Sequence, residues 1–299
     1  MTIRQLDPVI ARVTAVFDSW FPETPIETIR KDWDHLFSDV TPEVGARSKA
    51  VDVDGIPGEQ ICAPDASSEG AILYLHGGGY VLGSVLSHHD VCERISRAAG
   101  YNLLAIDYRL APEHPFPAAL DDALSAYRWL LKQGLSPDRI ALAGDSAGGG
   151  LCLALLLKLK QDGEPLPACA ALMSPWVDMA MSGESLISND AVDPMVHKEM
   201  VEVMASSYVA SDDRRNPLAS PLYGELSGLP PLMIHVGTRE TLLDDSKRIA
   251  ARARDAGVDV QTKIWEGQVH VFQIFASQVD EGEESIRELG AFIHQHLGQ

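Results

Sequence analysis

Residues 140–150 read Ile140-Ala141-Leu142-Ala143-Gly144-Asp145-Ser146-Ala147-Gly148-Gly149-Gly150, and a leucine-rich segment follows. The apolar run before Gly144 predicts a buried strand, and the segment after Gly150 predicts an apolar helix. The turn between them has the pattern G-x-S-x-G. Small residues are needed two positions before and after the serine, because a Cβ there would collide with neighbouring backbone. The pattern predicts a nucleophilic Ser146 at the head of a helix.

Glycine-rich turns after strands also bind phosphates, so two other interpretations need weighing. A P-loop requires Gly-Lys-Ser/Thr, which this turn lacks. A dinucleotide fingerprint usually opens the first βαβ unit of a chain rather than a middle one. The strand–turn–helix context therefore favours a catalytic serine, with the N–H of Ala147 placed to stabilise negative charge on a substrate.

Composition narrows the class of partner. The 299 residues include 24 Lys and Arg against 43 Asp and Glu, for a net charge of −19, and contain no basic block. Such a surface repels nucleic acid and anionic membranes, and it favours a neutral ester or amide over a phosphate or acyl-CoA. No secretory leader and no membrane-spanning run is visible, so we expect a cytoplasmic protein. The widely spaced Cys62, Cys92, Cys152 and Cys169 predict reduced thiols.

The remaining chain predicts an α/β fold with a mostly parallel sheet. A hairpin is expected between Arg47 and Ala63, with strands at Ala50–Val53 and Glu59–Ala63. Apolar runs predict further strands at Ala71–Leu75, Leu103–Ile106, Ile140–Ala143, Ala168–Met173, Pro231–Val236 and Val258–Trp265. Amphipathic runs predict helices at Val85–Ala99, Ala118–Lys132, Ala147–Lys160, Leu242–Ala256 and Glu284–Leu297.

Two segments stand outside this alternation. Residues 1–45 and about 180–220 each carry an apolar stripe at helical spacing, formed by Val9, Val13, Val16, Phe17 and Trp20, and by Met195, Val196, Met200, Val203, Met204 and Tyr208. We expect them to form a helical cap over the carboxyl ends of the strands, although core packing alone would also explain the stripes. Residues 46–179 and 221–299 are then the catalytic domain.

A second motif supports the nucleophile independently. The predicted strand Ala71–Leu75 runs into His76-Gly77-Gly78-Gly79. Consecutive glycines are costly in chain entropy, and bare backbone there would present N–H groups to an oxyanion. Gly78 and Gly79, with Ala147, are the predicted oxyanion hole. His76 fits a structural histidine better than a catalytic base.

A supporting acid and a histidine are expected in later loops, in that order. After Pro231–Val236, Glu240 lies in the turn, whereas Asp244 and Asp245 fall in the first turn of a helix, where acids stabilise the dipole. Glu240 is the predicted acid and Asp244 the alternative. His270, in the loop after the last strand, is the predicted general base. The other histidines lack this placement: His35, His88, His89, His114, His197, His235, His294 and His296.

Three of these motifs, His76-Gly77-Gly78-Gly79, Asp107-Tyr108-Arg109-Leu110-Ala111-Pro112-Glu113 and Gly144-Asp145-Ser146-Ala147-Gly148-Gly149, resemble those of the hormone-sensitive-lipase-like, or bacterial family IV, esterases. Ser174-Pro175-Trp176 and Asp193-Pro194-Met195-Val196 extend the resemblance. It implies an α/β-hydrolase core, a helical cap, and hydrolysis of short- to medium-chain acyl esters. Glu240 departs from the aspartate usual at the acid position.

The predicted activity is that of a carboxylesterase without metal or cofactor, acting on a small-molecule ester through an acyl-enzyme. Two alternatives remain: amide cleavage by the same residues, and a non-catalytic receptor on the same scaffold, which retention of His270 disfavours. Acyl length, stereochemical preference, physiological substrate and oligomeric state, including a homodimer, stay open.

Overall fold

The computed structural model describes residues 3–21, 23–38 and 45–298. Within them, eight strands form one sheet: β1 (Arg47–Val53), β2 (Ile56–Cys62), β3 (Ser67–Leu75), β4 (Tyr101–Ile106), β5 (Ile140–Asp145), β6 (Cys169–Met173), β7 (Leu232–Gly237) and β8 (Val260–Trp265). Their order is β1-β2-β4-β3-β5-β6-β7-β8. The first two pairings, β1 with β2 and β2 with β4, are antiparallel, and the others are parallel.

Helices cover both faces of the sheet. The described helices are α1 (Ile3–Phe17), α2 (Ile26–Ser38), α3 (His89–Ala99), α4 (Ala118–Lys132), α5 (Ala147–Asp162), α6 (Ser185–Ser188), α7 (Lys198–Tyr208), α8 (Leu243–Asp255) and α9 (Asp280–Leu297). One apolar core packs α4, α5 and α8 on one face, and a second packs α3 and α9 on the other. Neighbouring residues of β3 illustrate the alternation, since Leu73 belongs to the first core and Tyr74 to the second. The predicted α/β-hydrolase architecture is confirmed.

The hairpin differs from the prediction in its turn. The β1–β2 pairing runs from Arg47 opposite Cys62 to Val53 opposite Ile56, so β1 begins three residues earlier than expected. Only Asp54 and Gly55 form the turn, and both have positive φ, 53° and 94°. Two central residues of positive φ match the twist of antiparallel strands. Backbone pairing thus extends β1 through exposed polar residues that the apolar pattern did not mark.

Several predicted element ends shift, because local hydrogen bonds rather than apolar residues set the boundaries. Helix α3 begins at His89 instead of Val85, since Ser84–Ser87 form a turn in which the Ser84 N–H donates to Ser87 Oγ. Helix α9 begins earlier than predicted, at Asp280, and β8 begins later, at Val260.

Both predicted cap segments pack against the same apolar core. Side chains of α1, α2 and α7 join the apolar core that contains α5, including Val13, Trp33 and Val201. Val203 does not belong to the buried stripe as predicted: it is 66 % exposed, because it lies on the outer face of α7. The expected division into cap and catalytic domain stays a prediction, and residues 1, 2, 22 and 39–44 of the proposed cap lie outside the described residues. No helix among the described residues is long and apolar enough to cross a bilayer.

Candidate active site

Ser146 occupies the turn between β5 and α5 with a backbone conformation that side chains rarely adopt, φ 50° and ψ −119°. Its N–H donates to the Met173 carbonyl at 2.8 Å, and its own carbonyl accepts the Trp176 N–H at 2.9 Å. A Cβ at Gly148 would lie 1.9 Å from the Leu75 carbonyl oxygen, so the turn fits against β3 only with glycine there. Neighbouring strands therefore hold the strained turn in place.

His270 and Glu240 come together from the loops after β8 and β7. The Nδ1–H of His270 donates to Glu240 Oε2 at 2.8 Å, and both side chains are buried. Because Nδ1 is engaged in this way, Nε2 is the ring nitrogen left to face a reacting group. The alternative acid, Asp244, instead accepts the backbone N–H of Ser185 at 3.0 Å. Of the two acids considered, the structure pairs Glu240 with the histidine.

Glu240 is oriented by further donors on its other oxygen. Oε1 accepts hydrogen bonds from the Ser174 hydroxyl at 2.8 Å and from the Gly237 N–H. Ser174 also accepts the Val271 N–H at 3.3 Å, so one hydroxyl joins the acid loop to the histidine loop. The Glu240 side chain is fully buried, and these bonds restrict its carboxylate to one orientation.

The electrostatics of the pair follow from burial and mutual charge. Burial alone would lower the pKa of His270, but the hydrogen bond to Glu240 and the charge of Glu240 outweigh it, so the pKa lies above its ordinary value. Burial raises the pKa of Glu240, and the hydrogen bond and charge of His270 oppose that rise. The imidazolium is therefore stabilised in this site relative to an isolated histidine.

Ser146 and His270 line one cavity together with Gly78 and Gly79. The empty space of the cavity and of the open solvent at its mouth is together about 590 Å³. Most of the remaining wall is apolar. It comes from the N-terminal helices, from the segment around α7 and from the loops that follow β6, β7 and β8: Phe17, Trp33 and Phe37; Met195, Val196, Met200, Val201 and Met204; and Trp176, Leu242, Val271 and Ile274. Residues from both predicted cap segments thus surround the serine.

The glycine loop after β3 forms the side of the cavity next to α7. Met204 lies directly on Gly79, since a Cβ there would be 2.1 Å from the Met204 Sδ. The following residue, Tyr80, stacks on Tyr208 with ring centroids 3.7 Å apart, which fixes the end of α7 against the loop. Ala147, the third predicted oxyanion donor, begins α5 directly after Ser146 and is fully buried.

His76 has the structural surroundings predicted for it. Its ring stacks on Tyr108 at 4.1 Å between centroids, and its Nδ1 contacts the Gly77 carbonyl at 2.8 Å. Burial, followed by the charge of His88, lowers the pKa of His76 to about 3. The ring is therefore neutral and donates to that carbonyl.

Sequence reasoning missed several residues that shape the site. Asp193 accepts the backbone N–H of Thr241 at 2.8 Å, and Asn189 donates to the Glu240 carbonyl at 2.8 Å, so the segment before α7 brackets the acid's own peptide. Asp193 and Ser174 were each predicted only as members of a motif, without a role at the site. The position of Ser174 at the end of a strand adjacent to β7 was the available signal, since strand ends in a parallel sheet share one edge. In the described chain, no group of three or more His, Cys, Asp or Glu is arranged to hold a metal ion.

Comparison with known proteins places this geometry in a family. A model of the alpha/beta hydrolase fold matches residues 72–274. An acetyl-hydrolase of Streptomyces hygroscopicus is 45 % identical over 228 residues, 76 % of each chain. An esterase of Acinetobacter venetianus is 38 % identical over 239 residues, 80 % of this chain and 78 % of that one. The crystal structure of an esterase from the bacterial hormone-sensitive lipase family superposes with a TM-score of 0.95 at 44 % identity, covering 99 % of both chains.

The chain belongs to the alpha/beta hydrolase fold family. Within it, the resemblance to bacterial hormone-sensitive-lipase-like esterases is confirmed by the relatives and by the superposition over nearly the whole chain.

Proposed function

We propose that this protein is a carboxylesterase in which Ser146 is the nucleophile, His270 the general base and Glu240 the supporting acid. The observation that carries the proposal is the shared cavity: Ser146 and His270 line it together, and Glu240 is hydrogen-bonded to His270 at 2.8 Å. A nucleophile, a base and an orienting acid in this relation are the arrangement that acyl transfer requires. The relatives named as esterases and acetyl-hydrolase support the same class of reaction.

In this mechanism, Nε2 of His270 takes the proton of Ser146 as Oγ attacks the ester carbonyl carbon. Glu240 keeps the second proton on Nδ1 and stabilises the imidazolium that forms. The tetrahedral intermediate collapses when His270 gives its proton to the departing alcohol. A water molecule then takes the place of the alcohol. His270 accepts a proton from the water as it attacks the acyl carbon, and gives that proton to Ser146 Oγ as the carboxylic acid leaves.

The oxyanion is assigned to the backbone N–H groups of Gly78, Gly79 and Ala147. Gly78 and Gly79 line the cavity that contains Ser146, and Ala147 is the first residue of α5. Amide dipoles that are already oriented stabilise charge as it develops, without reorganisation during the reaction. The position of Ala147 at a helix N-terminus adds the favourable end of the helix dipole.

The substrate class is a neutral ester with a short- to medium-chain acyl group. The apolar wall suits an alkyl chain, and Met204 against Gly79 limits the space beside the proposed oxyanion hole. A net charge of −19 disfavours anionic substrates. We assign α1 and α2, with the segment from about 180 to 220, to a cap that supplies this wall, and the rest of the chain to the catalytic domain.

Hydrolysis of p-nitrophenyl esters from two to sixteen carbons tests the proposal. We expect the highest kcat/KM at short chains. Ser146→Ala is expected to lower kcat by at least about 10⁴-fold with an unchanged circular dichroism spectrum. The exposed Ser227, replaced by Ala, is the matched control and is expected to keep full activity.

A serine-directed phosphonate gives an independent readout, since mass spectrometry should detect one adduct on the wild type and none on Ser146→Ala. Ester turnover retained in that variant contradicts the assignment of the nucleophile. A wild type that neither turns over esters nor forms the adduct contradicts the enzyme activity itself and favours a ligand receptor.

A further inference from the structure

A buried polar cluster lies against the oxyanion loop, and the mechanism above gives it no role. It consists of Tyr74 at the end of β3, Gly77, His88 just before α3, and Asp145, the residue before the nucleophile. Asp145 is 3 % exposed and His88 1 % exposed. Buried ionisable groups are costly unless they are paired, so this cluster calls for a physical explanation.

Asp145 is the centre of the cluster. Its Oδ1 accepts the hydroxyl of Tyr74 at 2.6 Å and the N–H of Gly77 at 3.0 Å. A Cβ at Gly77 would lie 2.1 Å from Asp145 Oδ2, so the carboxylate and the loop backbone are in direct contact. Gly77 immediately precedes the proposed oxyanion donors Gly78 and Gly79. A shift of this carboxylate would therefore move the peptides that face the substrate.

His88 faces the other oxygen of the same carboxylate. Its Nε2 lies 3.4 Å from Asp145 Oδ2, within ion-pair distance. Its Nδ1 lies 3.0 Å from the Ser87 hydroxyl and 3.1 Å from the Ser84 carbonyl. Because a carbonyl can only accept, we assign a hydrogen to Nδ1. With Nδ1–H fixed, a second proton on Nε2 makes the ring a cation beside the carboxylate.

The surroundings of His88 support this charge state. Burial alone lowers its pKa, but the charge of Asp145, supported by the hydrogen bond to the Ser84 carbonyl, outweighs burial, and the pKa is raised. Other ionisable groups reach it from three elements. Asp34 of α2 adds a further favourable charge, Asp107 after β4 interacts with it electrostatically, and the His76 ring after β3 lies 5.5 Å away between centroids. Because His76 is neutral, as shown by its lowered pKa, it does not oppose the cation.

The chemistry of the site gives this pairing a function. Asp145 lines the cavity in which the proposed tetrahedral oxyanion forms. In a buried site, an uncompensated carboxylate there would repel the negative charge that develops in the transition state. His88 lines the same cavity, and a cation on its ring beside the carboxylate offsets that repulsion while the hydrogen bond from Gly77 to Asp145 stays intact.

We propose that Asp145 and His88 are positioning residues for ester hydrolysis: Asp145 fixes the oxyanion loop through the Gly77 N–H, and His88 neutralises the charge of Asp145. The proposal rests on the proposed esterase function. It assigns no contact with substrate to either residue. Asp145 acts through the loop and His88 acts through the charge of Asp145, so both affect the transition state more than substrate binding.

Five variants test it by kcat and KM for p-nitrophenyl acetate and by affinity for a trifluoromethyl ketone, which forms a tetrahedral adduct with the serine. They are Asp145→Asn, Asp145→Ala, His88→Asn, the double variant His88→Asn/Asp145→Asn, and His89→Asn. Asparagine at 145 keeps an oxygen for Gly77 and Tyr74 but has no charge. His89 is the matched control, since it is a quarter exposed and pairs with Glu59 and Glu93 instead.

We expect Asp145→Asn and His89→Asn to stay within about threefold of wild-type kcat. Asp145→Ala, which removes the acceptor, and His88→Asn, which leaves the charge uncompensated, are each expected to lower kcat by about tenfold or more, with KM changed by less than about twofold. The double variant is expected to return to within about threefold of Asp145→Asn, because the unpaired charge is gone. Inhibitor affinity should follow kcat.

A double variant no more active than His88→Asn would overturn the charge-balance claim, and an Asp145→Ala variant with wild-type kcat would overturn the positioning claim. The midpoint of thermal unfolding measures the same coupling without turnover. We expect His88→Asn to lower the midpoint and the double variant to restore it. If the change in midpoint of the double variant equals the sum of the changes in the two single variants, His88 and Asp145 are not paired. A wild type without ester turnover contradicts the proposed function alone, because the coupling in unfolding does not depend on activity.

Discussion

The loops that carry Ser146, Glu240 and His270 are held differently from α1, α2 and α7, which supply side chains to the wall of the same cavity. Buried hydrogen bonds fix the loops, as where Ser174 joins Glu240 to the Val271 N–H. Apolar and aromatic contacts hold much of the wall. The rings of Phe17 and Trp33 stack with centroids 6.0 Å apart, and the ring centroids of Phe37 and Phe275 are 5.8 Å apart.

This difference reflects two physical requirements. Proton transfer depends on distances and angles, which hydrogen bonds define because they are directional. The stabilisation from apolar contact is proportional to the buried area and has little directionality. A wall held by such contacts can therefore change shape without losing its function. We therefore expect substitutions in the loops to affect the rate of reaction and substitutions in the wall to affect the choice of substrate.

Of the three substitution effects that test this difference, the largest is expected at the supporting acid. Glu240→Gln is expected to lower kcat by about 10³- to 10⁴-fold with little change in KM, because an amide cannot stabilise the imidazolium and can favour the wrong tautomer. Asp244→Asn is the matched control and should stay within about threefold, since Asp244 bonds the Ser185 N–H and asparagine keeps an acceptor. Stopped-flow or steady-state assays with p-nitrophenyl acetate measure both. Equal losses in the two variants would refute the assignment of the acid.

A smaller effect is expected in the wall. Met204→Ala should enlarge the space beside Gly79 and raise the ratio of kcat/KM for an eight-carbon ester to that for a two-carbon ester by about tenfold. Val203→Ala, one residue earlier but 66 % exposed, should leave the ratio unchanged. An unchanged ratio in Met204→Ala would show that another residue limits the acyl chain.

The smallest effect is a shift in pH dependence. His270 must be neutral to accept a proton, and its pKa is raised above the ordinary 6.5. Activity is then lost as the pH falls through that raised value, so the acid limb of kcat/KM should lie above pH 6.5. In Glu240→Gln the limb should move to lower pH, because burial then acts without the compensating charge. A wild-type limb well below 6.5 would contradict the pairing of His270 with Glu240.

The sequence by itself determined much of the architecture. Apolar runs located the parallel strands. A few consecutive residues were enough to predict the turn at Ser146 and the bare backbone of the triple glycine after β3. Such motifs are readable because backbone conformation and close approach restrict residue type locally. The chain order of acid and histidine after the serine followed from the same topology.

Only the tertiary structure decided how distant residues meet. It paired His270 with Glu240 rather than Asp244 and placed Val203 in solvent. It also set His88, 58 positions before Ser146 in numbering, against the carboxylate of Asp145. None of these relations has a local pattern in the chain. They depend on which strand ends become neighbours and on the packing of helices across them, and those contacts exist only after the sheet has formed.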